Sequence, residues 1–246
     1  MSLTLAINLD KEKGTLNKEF EQWYNHHLNS KKTLLDALEH YENKGSLKDF
    51  PVNSSLVYKM SENLYFIPST VDMYWLELDF IERDKIKNFI CEFQKKMEMN
   101  VNYHFDYIFF DCPPFFTAFS YSVLNCSDMY LIPITPDVFA SRMVSQMLEG
   151  FSKRIKPWPN PKISVFMNKA KTYRESYLTT ESKKYLNDVK QVKNNLANRE
   201  IKMEVFDNFI PEKIDILKAM PNISINHEFE ETFHDLWEKI SNFLDS

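Results

Sequence analysis

Six short, largely apolar runs, separated by longer segments with helical spacing, constrain the fold of this 246-residue chain more than any other feature. Runs of this length, rich in β-branched and aromatic residues and bounded by turn-forming residues, predict buried strands. Their continuous hydrophobicity is typical of strands that are covered on both faces. The predicted strands are Leu3–Leu9, Leu64–Pro68, Asp106–Asp111, Met129–Ile134, Ile163–Asn168 and Glu204–Pro211.

Four further segments carry apolar residues at helical spacing. In Phe80–Met97, for example, Ile86, Phe89 and Phe93 share one helix face. The others are Ala140–Ile155, Tyr177–Leu196 and Glu228–Leu244. Strands that alternate with helices predict an α/β fold with a doubly wound, mostly parallel sheet flanked by helices. Because no linker, repeat or low-complexity tract interrupts the pattern, we predict a single domain over residues 1–246.

Charge and cysteine usage narrow the class of protein. The net charge is −5, from 30 basic and 35 acidic residues, so any contact with DNA must come from a local basic patch. The three cysteines, Cys91, Cys112 and Cys126, form no CxxC pair, which is typical of a reducing compartment. The sequence shows no signal-peptide pattern and no apolar stretch of the roughly 18 residues that a membrane span needs. We therefore predict a cytoplasmic protein.

Glycine is scarce in this chain. The three glycines are Gly14, Gly45 and Gly150. Loops that hold phosphate groups need clustered glycines, because only a residue without a β-carbon lets backbone N–H groups wrap a phosphate. Accordingly, the sequence contains neither a GxxxxGK[ST] nor a GxGxxG motif.

Three motifs follow one another in the centre of the chain. They are Asp111-Cys112-Pro113-Pro114 after a predicted strand, Leu131-Ile132-Pro133-Ile134-Thr135-Pro136 after the next, and Phe139-Ala140 at the start of a helix. In this order and spacing they resemble the ParA/MinD family of deviant Walker ATPases, and in particular the ParA/Soj-like partition proteins. The flanking segments Lys31–His40, Ser61–Glu77, "FMNKAK" and "FIPEKIDILKAM" extend the resemblance over nearly the whole chain.

The resemblance implies an ATPase that uses ATP and Mg²⁺ on a P-loop NTPase-like fold. Asp111 would hold Mg²⁺ through a water molecule, and Asp10 would orient the attacking water as a catalytic residue. Asn168 would read the adenine edge, with Pro211 packed beside the base. Each of these residues also has a purely structural interpretation, as a strand-end polar group or a turn. Asn8 replaces the family's first aspartate, and a neutral amide attracts Mg²⁺ less than a carboxylate does.

The family's first strand, glycine-rich KGGxGK[ST] loop and first helix have no counterpart in these residues. The spacing from Asp10 to Thr33 is shorter than the roughly 30 residues of a βαβ unit, which suits a start at the family's second strand. Three explanations are open: a shortened polypeptide, a gene start upstream of Met1, or a natural variant that has lost its phosphate site. In each case we expect this polypeptide to bind ATP weakly and to hydrolyse it negligibly.

The same resemblance predicts a neighbour for the strand that bears Asp111. In the family, the first strand lies beside this strand inside the sheet. Its removal leaves unpaired backbone groups, which are costly when buried. We therefore expect its place to be taken by a rearranged or alternative segment or by a partner chain.

A lysine-rich region late in the chain is the candidate for DNA contact. ParA-like proteins bind duplex DNA non-specifically through basic late helices, and neutralisation of the backbone supplies such affinity. A solvated helix face is the alternative, since Glu181, Asp188 and Glu200 dilute the charge. The candidate residues are Lys183, Lys184, Lys190, Lys193, Arg199 and Lys202.

The implied partners are a second copy of the chain, a centromere-binding adaptor protein and DNA. No membrane partner is predicted, because the amphipathic final helix is acidic. Two other functions stay open, a non-enzymatic pseudo-ATPase scaffold and a ParA-like role in another positioning system. His26 and His27 are predicted to be solvated helix residues, and Cys112 to be a packing residue with no nucleophilic role.

Overall fold

The computed structural model describes most of the chain, in two compact units. The described residues are 33–52, 56–59, 62–67, 86–100, 104–113, 116–155, 159–173, 177–197, 201–212 and 227–246, with the helical residues 18, 22, 25 and 26. The units are Met1–Cys126 and Ser127–Ser246, and each is described by itself. The single domain over residues 1–246 stays a prediction.

The first unit contains three described helices: α1 (Leu34–Lys44), α2 (Phe89–Glu98) and α3 (Ala118–Cys126). Helix α1 begins with a capping box, in which the Thr33 hydroxyl accepts from the Asp36 N–H and the Asp36 carboxylate accepts from the Thr33 N–H. It ends at Gly45, whose φ of 68° is the left-handed conformation that glycine adopts without strain.

The core of this unit forms around α2. Ile86, Phe89 and Ile90 are fully buried, and the centre of the Phe89 ring lies 5.6 Å from the centre of the Tyr41 ring of α1. Helix α3 is tied to α2 by the Ser122 hydroxyl, which accepts from the Ile90 N–H at 3.0 Å. The helical prediction for Phe80–Met97 is thus confirmed where the structure describes it, with the regular helix beginning at Phe89.

Two predicted strands of this unit differ from the structure. Among the described residues of Leu64–Pro68, which are 64–67, only Tyr65–Phe66 (β2) forms a strand, and it pairs antiparallel with Tyr58–Lys59 (β1). The prediction of a strand over Asp106–Asp111 is wrong, because these residues have neither strand nor helix structure. None of the pairings among the described strands includes them.

The physical reason for the second error is that hydrophobicity predicts burial, whereas a strand also needs a neighbour for its backbone groups. No described segment supplies that neighbour, so the expected replacement strand is not found in the part of the chain that the structure describes. Tyr107, Ile108 and Phe109 are instead exposed.

The second unit is built on a parallel sheet in the order β3 (Met129–Ile134), β4 (Lys162–Ala170) and β5 (Met203–Pro211). Tyr130 lies opposite Ile163, and Val165 lies opposite Val205. The three predicted strands are confirmed: Met129–Ile134 in full, and the other two with one or two added residues at their ends. Continuous hydrophobicity identified them correctly, since Ile163, Val165 and Met167 are all fully buried.

Helices connect and cover these strands. Helix α4 (Val138–Arg154) joins β3 to β4, and α5 (Thr180–Ala197) joins β4 to β5. Helix α6 (His227–Asp245) packs on β4 and β5, where Leu236 and Ile240 form a core cluster with Phe166 and Phe206. This parallel sheet flanked by helices confirms the predicted α/β class. No described helix combines the length and the apolar character that crossing a membrane requires.

Candidate functional site

The carboxyl ends of β3, β4 and β5 meet at one edge of the sheet, where parallel α/β sheets place their ligands. Met167 lies opposite both Ile134 of β3 and Phe209 of β5, and Ala170 lies opposite Pro211. Asn168 therefore stands between the ends of the two neighbouring strands. The structure brings the two predicted base-binding residues, Asn168 and Pro211, to the same edge.

Asn168 is held by a local contact. Its side-chain Oδ1 accepts from the Lys169 N–H at 2.9 Å, and the residue is half-buried. Lys169 is exposed and has a φ of 54°, a left-handed conformation that costs a non-glycine residue roughly 1 kcal/mol. Strained backbone of this kind concentrates at functional sites. Sequence reasoning missed it, because nothing in "MNKA" requires a positive φ at the lysine.

The turn after β3 is fixed at the same edge. Asp137 caps α4, since its carboxylate accepts from the Ala140 N–H at 2.7 Å and from the Thr135 hydroxyl. The Thr135 hydrogen bond, followed by the backbone N–H bonds, lowers the pKa of Asp137 below its usual value. The Pro133-to-Pro136 motif thus leads into a helix start that stays capped at neutral pH.

Asp111 lies in the first unit and is exposed. It does not end a strand, so the sheet-end position predicted for it is not found. The neighbouring Cys112 is also exposed, yet desolvation of its sulfur, with the Asp111 charge adding to it, raises the pKa of the Cys112 thiol to about 11. A thiol with this pKa is protonated at neutral pH. The prediction that Cys112 is a packing residue is not confirmed, because the residue is exposed.

The candidate DNA-binding lysines fall into two groups. Lys190 contacts Asp207 of β5 at 2.5 Å and Lys193 contacts Glu204 at 2.6 Å, so both charges are already paired. The side chains of Lys183, Lys184 and Lys202 are exposed and have no ion pair with a described residue. Arg199 lies outside the described residues. The charge available to a phosphate backbone is therefore smaller than the sequence indicates.

An open cavity of about 320 Å³ lies between the start of α5 and the end of β5. Apolar side chains and charged groups both line it, including the Lys190–Asp207 pair. Sequence reasoning did not find it, because its two walls come together only in the folded sheet. The lining residues are Tyr177, Leu178, Lys183, Leu186, Asn187, Lys190, Asp207 and Phe209.

Histidines give no buried metal site among the described residues. His234, Asp235 and Glu238 of α6 place one ligand atom each within 4.8 Å of one another, but all three are exposed. Exposed carboxylates at this spacing are common helix-surface residues. His26 is exposed and helical, as predicted, while His27 lies outside the residues whose side chains are described.

The residues present fit one end of ATP better than the other. At the sheet edge, the Asn168 amide and Pro211 are suited to a purine, which offers hydrogen-bonding edges and a flat face. For the phosphates, neither described glycine belongs to a phosphate-binding loop, since Gly45 ends α1 and Gly150 lies within α4. Asp111 offers one exposed carboxylate to Mg²⁺, and Asp10 and Asn8 lie outside the described residues.

Comparison with known proteins gives one family and several related folds. The family model described as "AAA domain" (AAA_31), a ParA/MinD-like family, matches residues 3–165. Apo McdA from Cyanothece aligns with a TM-score of 0.60 at 19% identity, over 87% of this chain and 77% of that chain. The ATP complex of a McdA variant from the same organism aligns with a TM-score of 0.63 at 17% identity, over 85% of this chain and 75% of that chain. A plasmid partition protein from Borrelia burgdorferi aligns with a TM-score of 0.55 at 15% identity, over 98% of this chain and 91% of that chain. At these identities the structures establish a shared P-loop ATPase-like fold.

Proposed function

The chain belongs to the ParA/MinD-type family of Walker ATPases, and on that basis we propose that it acts as a ParA-like protein of plasmid or chromosome partition. The observation that carries the proposal is the family match over residues 3–165, which contains the ordered motifs from Asp111 to Ala140. Similarity in fold to a plasmid partition protein and to McdA supports it.

The proposed roles follow the family. Asn168 and Pro211 bind the adenine, Asp111 holds Mg²⁺ through a water molecule, and Asp10 orients the attacking water. The protein works in the cytoplasm as a homodimer, binds DNA non-specifically and responds to a centromere-binding adaptor. The position of Asn168 and Pro211 at one sheet edge supports the adenine assignment.

We further propose that these 246 residues bind nucleotide weakly. Charge-assisted bonds from a glycine-rich loop and its lysines supply most of the affinity for a triphosphate, and the sequence holds no such loop. The alternative function is a pseudo-ATPase scaffold that keeps the fold without hydrolysis. The genomic sequence upstream of the Met1 codon separates the two, because an in-frame KGGxGK[ST] motif favours the ATPase and a stop codon favours the scaffold.

The DNA-binding part of the proposal is tested with a fluorescent random-sequence duplex at several salt concentrations. We expect Lys183→Ala/Lys184→Ala to weaken binding and to lower the salt slope by about 0.9 for each phosphate that is no longer neutralised. Lys190→Ala/Lys193→Ala serves as the matched control and should have a smaller effect, because those charges are paired with Asp207 and Glu204. Equal weakening in the two double variants, or no binding by the parent protein, would contradict this assignment.

Partition itself is tested by deleting the gene and measuring loss of the replicon that carries it. The proposal predicts increased loss that is restored by the intact gene in trans. Unchanged inheritance would place the protein in another positioning system or in the scaffold class.

A further inference from the structure

The open cavity of about 320 Å³ between the start of α5 and the end of β5 has the size of a small-molecule site. We call it the α5 cavity. An apolar cavity of about 150 Å³ holds one benzene ring, so the α5 cavity has room for two fused rings that carry a small polar group. Neither Asn168 nor Pro211 lines it, so it is separate from the proposed adenine site.

The floor of the α5 cavity is apolar. Leu178 and Leu186 are buried, and Phe209 is half-buried. The Tyr177 side chain, which is 63% exposed, stands at the rim. Two aromatic residues among the lining groups favour a flat ligand, because contacts between rings add to the gain from burying apolar area.

One wall of the α5 cavity is held in place by the chain before any ligand binds. Thr172 forms an antiparallel bridge with Leu178, and the Tyr173 N–H donates to the Tyr177 carbonyl at 2.6 Å. These contacts fix the backbone that carries two of the lining side chains. A preformed wall lowers the ordering cost that a small ligand must overcome.

The charged side chains around the α5 cavity give it an excess of one positive charge. Lys190 of α5 and Asp207 of β5 form an ion pair at 2.5 Å. Lys183 lies seven residues before Lys190 on the same helix face, is exposed, and makes no ion pair with a described residue. The Asn187 amide, between the two lysines on this face, offers an N–H donor. A carboxylate complements this set, since it accepts a charge-assisted bond from the ammonium and a second bond from the amide.

We propose that the α5 cavity binds a small aromatic carboxylate, with its rings against the apolar floor and its carboxylate at Lys183. This assignment does not depend on the proposed function. The cavity is open and supplies one unpaired cation among its described lining residues, so the binding is weak, with a dissociation constant on the order of 0.1–1 mM.

The probe is naphthoate, which combines two fused rings with a carboxylate. Its binding to the full 246-residue chain is measured by ligand-detected NMR and compared with that of naphthylmethanol, which has the same rings and no charge. We expect naphthoate to bind at least about fivefold more tightly, because only the carboxylate forms a charge-assisted bond. This advantage should shrink as the salt concentration rises, since the Lys183 ammonium is exposed.

Two pairs of variants locate the site. Lys183→Met should weaken naphthoate binding about fivefold and leave naphthylmethanol binding unchanged, whereas Lys184→Met, which changes the exposed neighbour outside the cavity, should alter neither. Tyr177→Ser should weaken both ligands several-fold, because it removes a ring from the rim. Tyr173→Ser is its matched control, as Tyr173 is 68% exposed and does not line the cavity. Circular dichroism checks that each variant is folded.

Four results would overturn the proposal. They are no saturable binding of naphthoate up to about 5 mM, equal affinities for the two ligands, an equal loss in Lys184→Met, and displacement of naphthoate by adenosine. The last result would assign naphthoate to the proposed adenine site. Naphthoate binding that depends on Lys183 and is unaffected by adenosine supports the α5 cavity, whether or not the chain binds ATP.

Discussion

At the scale of single residues, the chain combines predictable groups with groups that only the fold reveals. Asn168 and Pro211 were predicted from their motifs, and the sheet brings them to one edge. Lys169, beside Asn168, was not predicted, because its left-handed φ of 54° follows from the way in which β4 ends. Likewise, the ion pairs of Lys190 and Lys193 with β5 join residues that are distant in sequence. A local pattern contains no information on such partners.

The strain at Lys169 gives a stability prediction. Lys169→Gly should raise the free energy of unfolding by about 0.5–1 kcal/mol, since glycine adopts a positive φ without the β-carbon clash. Urea unfolding followed by circular dichroism measures the change. Lys171→Gly is the matched control, because Lys171 is an exposed neighbour whose backbone does not have a positive φ. Glycine at that position should destabilise the protein, since it adds only backbone entropy to the unfolded chain. A drop in stability for Lys169→Gly would show that position 169 is not strained.

At the scale of elements, sequence patterns identified the strands that are buried on both faces and the helices between them. Met129–Ile134 was predicted in full, because a continuous apolar run with a proline turn leaves few alternatives. Asp106–Asp111 has an equally apolar sequence and is not a strand. The difference lies in the neighbours: β3 has β4 beside it, whereas no described strand pairs with residues 106–111. Strand pairing is a non-local property that a local pattern does not contain.

The end of α6 is held by a side chain from the sheet. The Lys162 ammonium donates to the Leu244 carbonyl at 2.6 Å and lies 5.9 Å from the centre of the Phe243 ring. A cation at a helix carboxyl end satisfies an orphan carbonyl and complements the helix dipole. Lys162→Met should therefore lower the free energy of unfolding by about 1–2 kcal/mol, as measured by urea unfolding. Lys239→Met, which changes an exposed lysine of α6, is the control, and it should change the free energy of unfolding by no more than about 0.5 kcal/mol. Equal losses of stability in the two variants would contradict this role of Lys162.

The two described glycines should respond to alanine in opposite directions. Gly150→Ala should stabilise the monomer by about 1 kcal/mol, because alanine is the better helix former and its β-carbon meets open space. Gly45→Ala should destabilise it by about 1 kcal/mol, because Gly45 has a φ of 68°. Thermal unfolding at low micromolar concentration measures both. Changes of the same sign would contradict the backbone assignment at one of the two positions.

At the scale of the whole molecule, the α/β class and the family could be predicted from the sequence, because both depend on ordered patterns along the chain. The division into two compact units and the cavity beside α5 could not. Each of them depends on which surfaces the folded chain leaves open. The lysine-rich region shows the same limit, since its sequence predicts six cationic residues and the structure pairs two of them with carboxylates.

We propose that Asn168 and Pro211 bind adenine at the carboxyl edge of the sheet, while these 246 residues contain no phosphate-binding loop motif. Calorimetric titration with ATP and Mg²⁺, compared with adenosine under the same conditions, tests it most directly. We expect ATP and adenosine both to bind weakly and within about threefold of each other, because the triphosphate adds little affinity without the backbone N–H donors and lysines of a phosphate-binding loop. Micromolar binding of ATP, far tighter than that of adenosine, would contradict it.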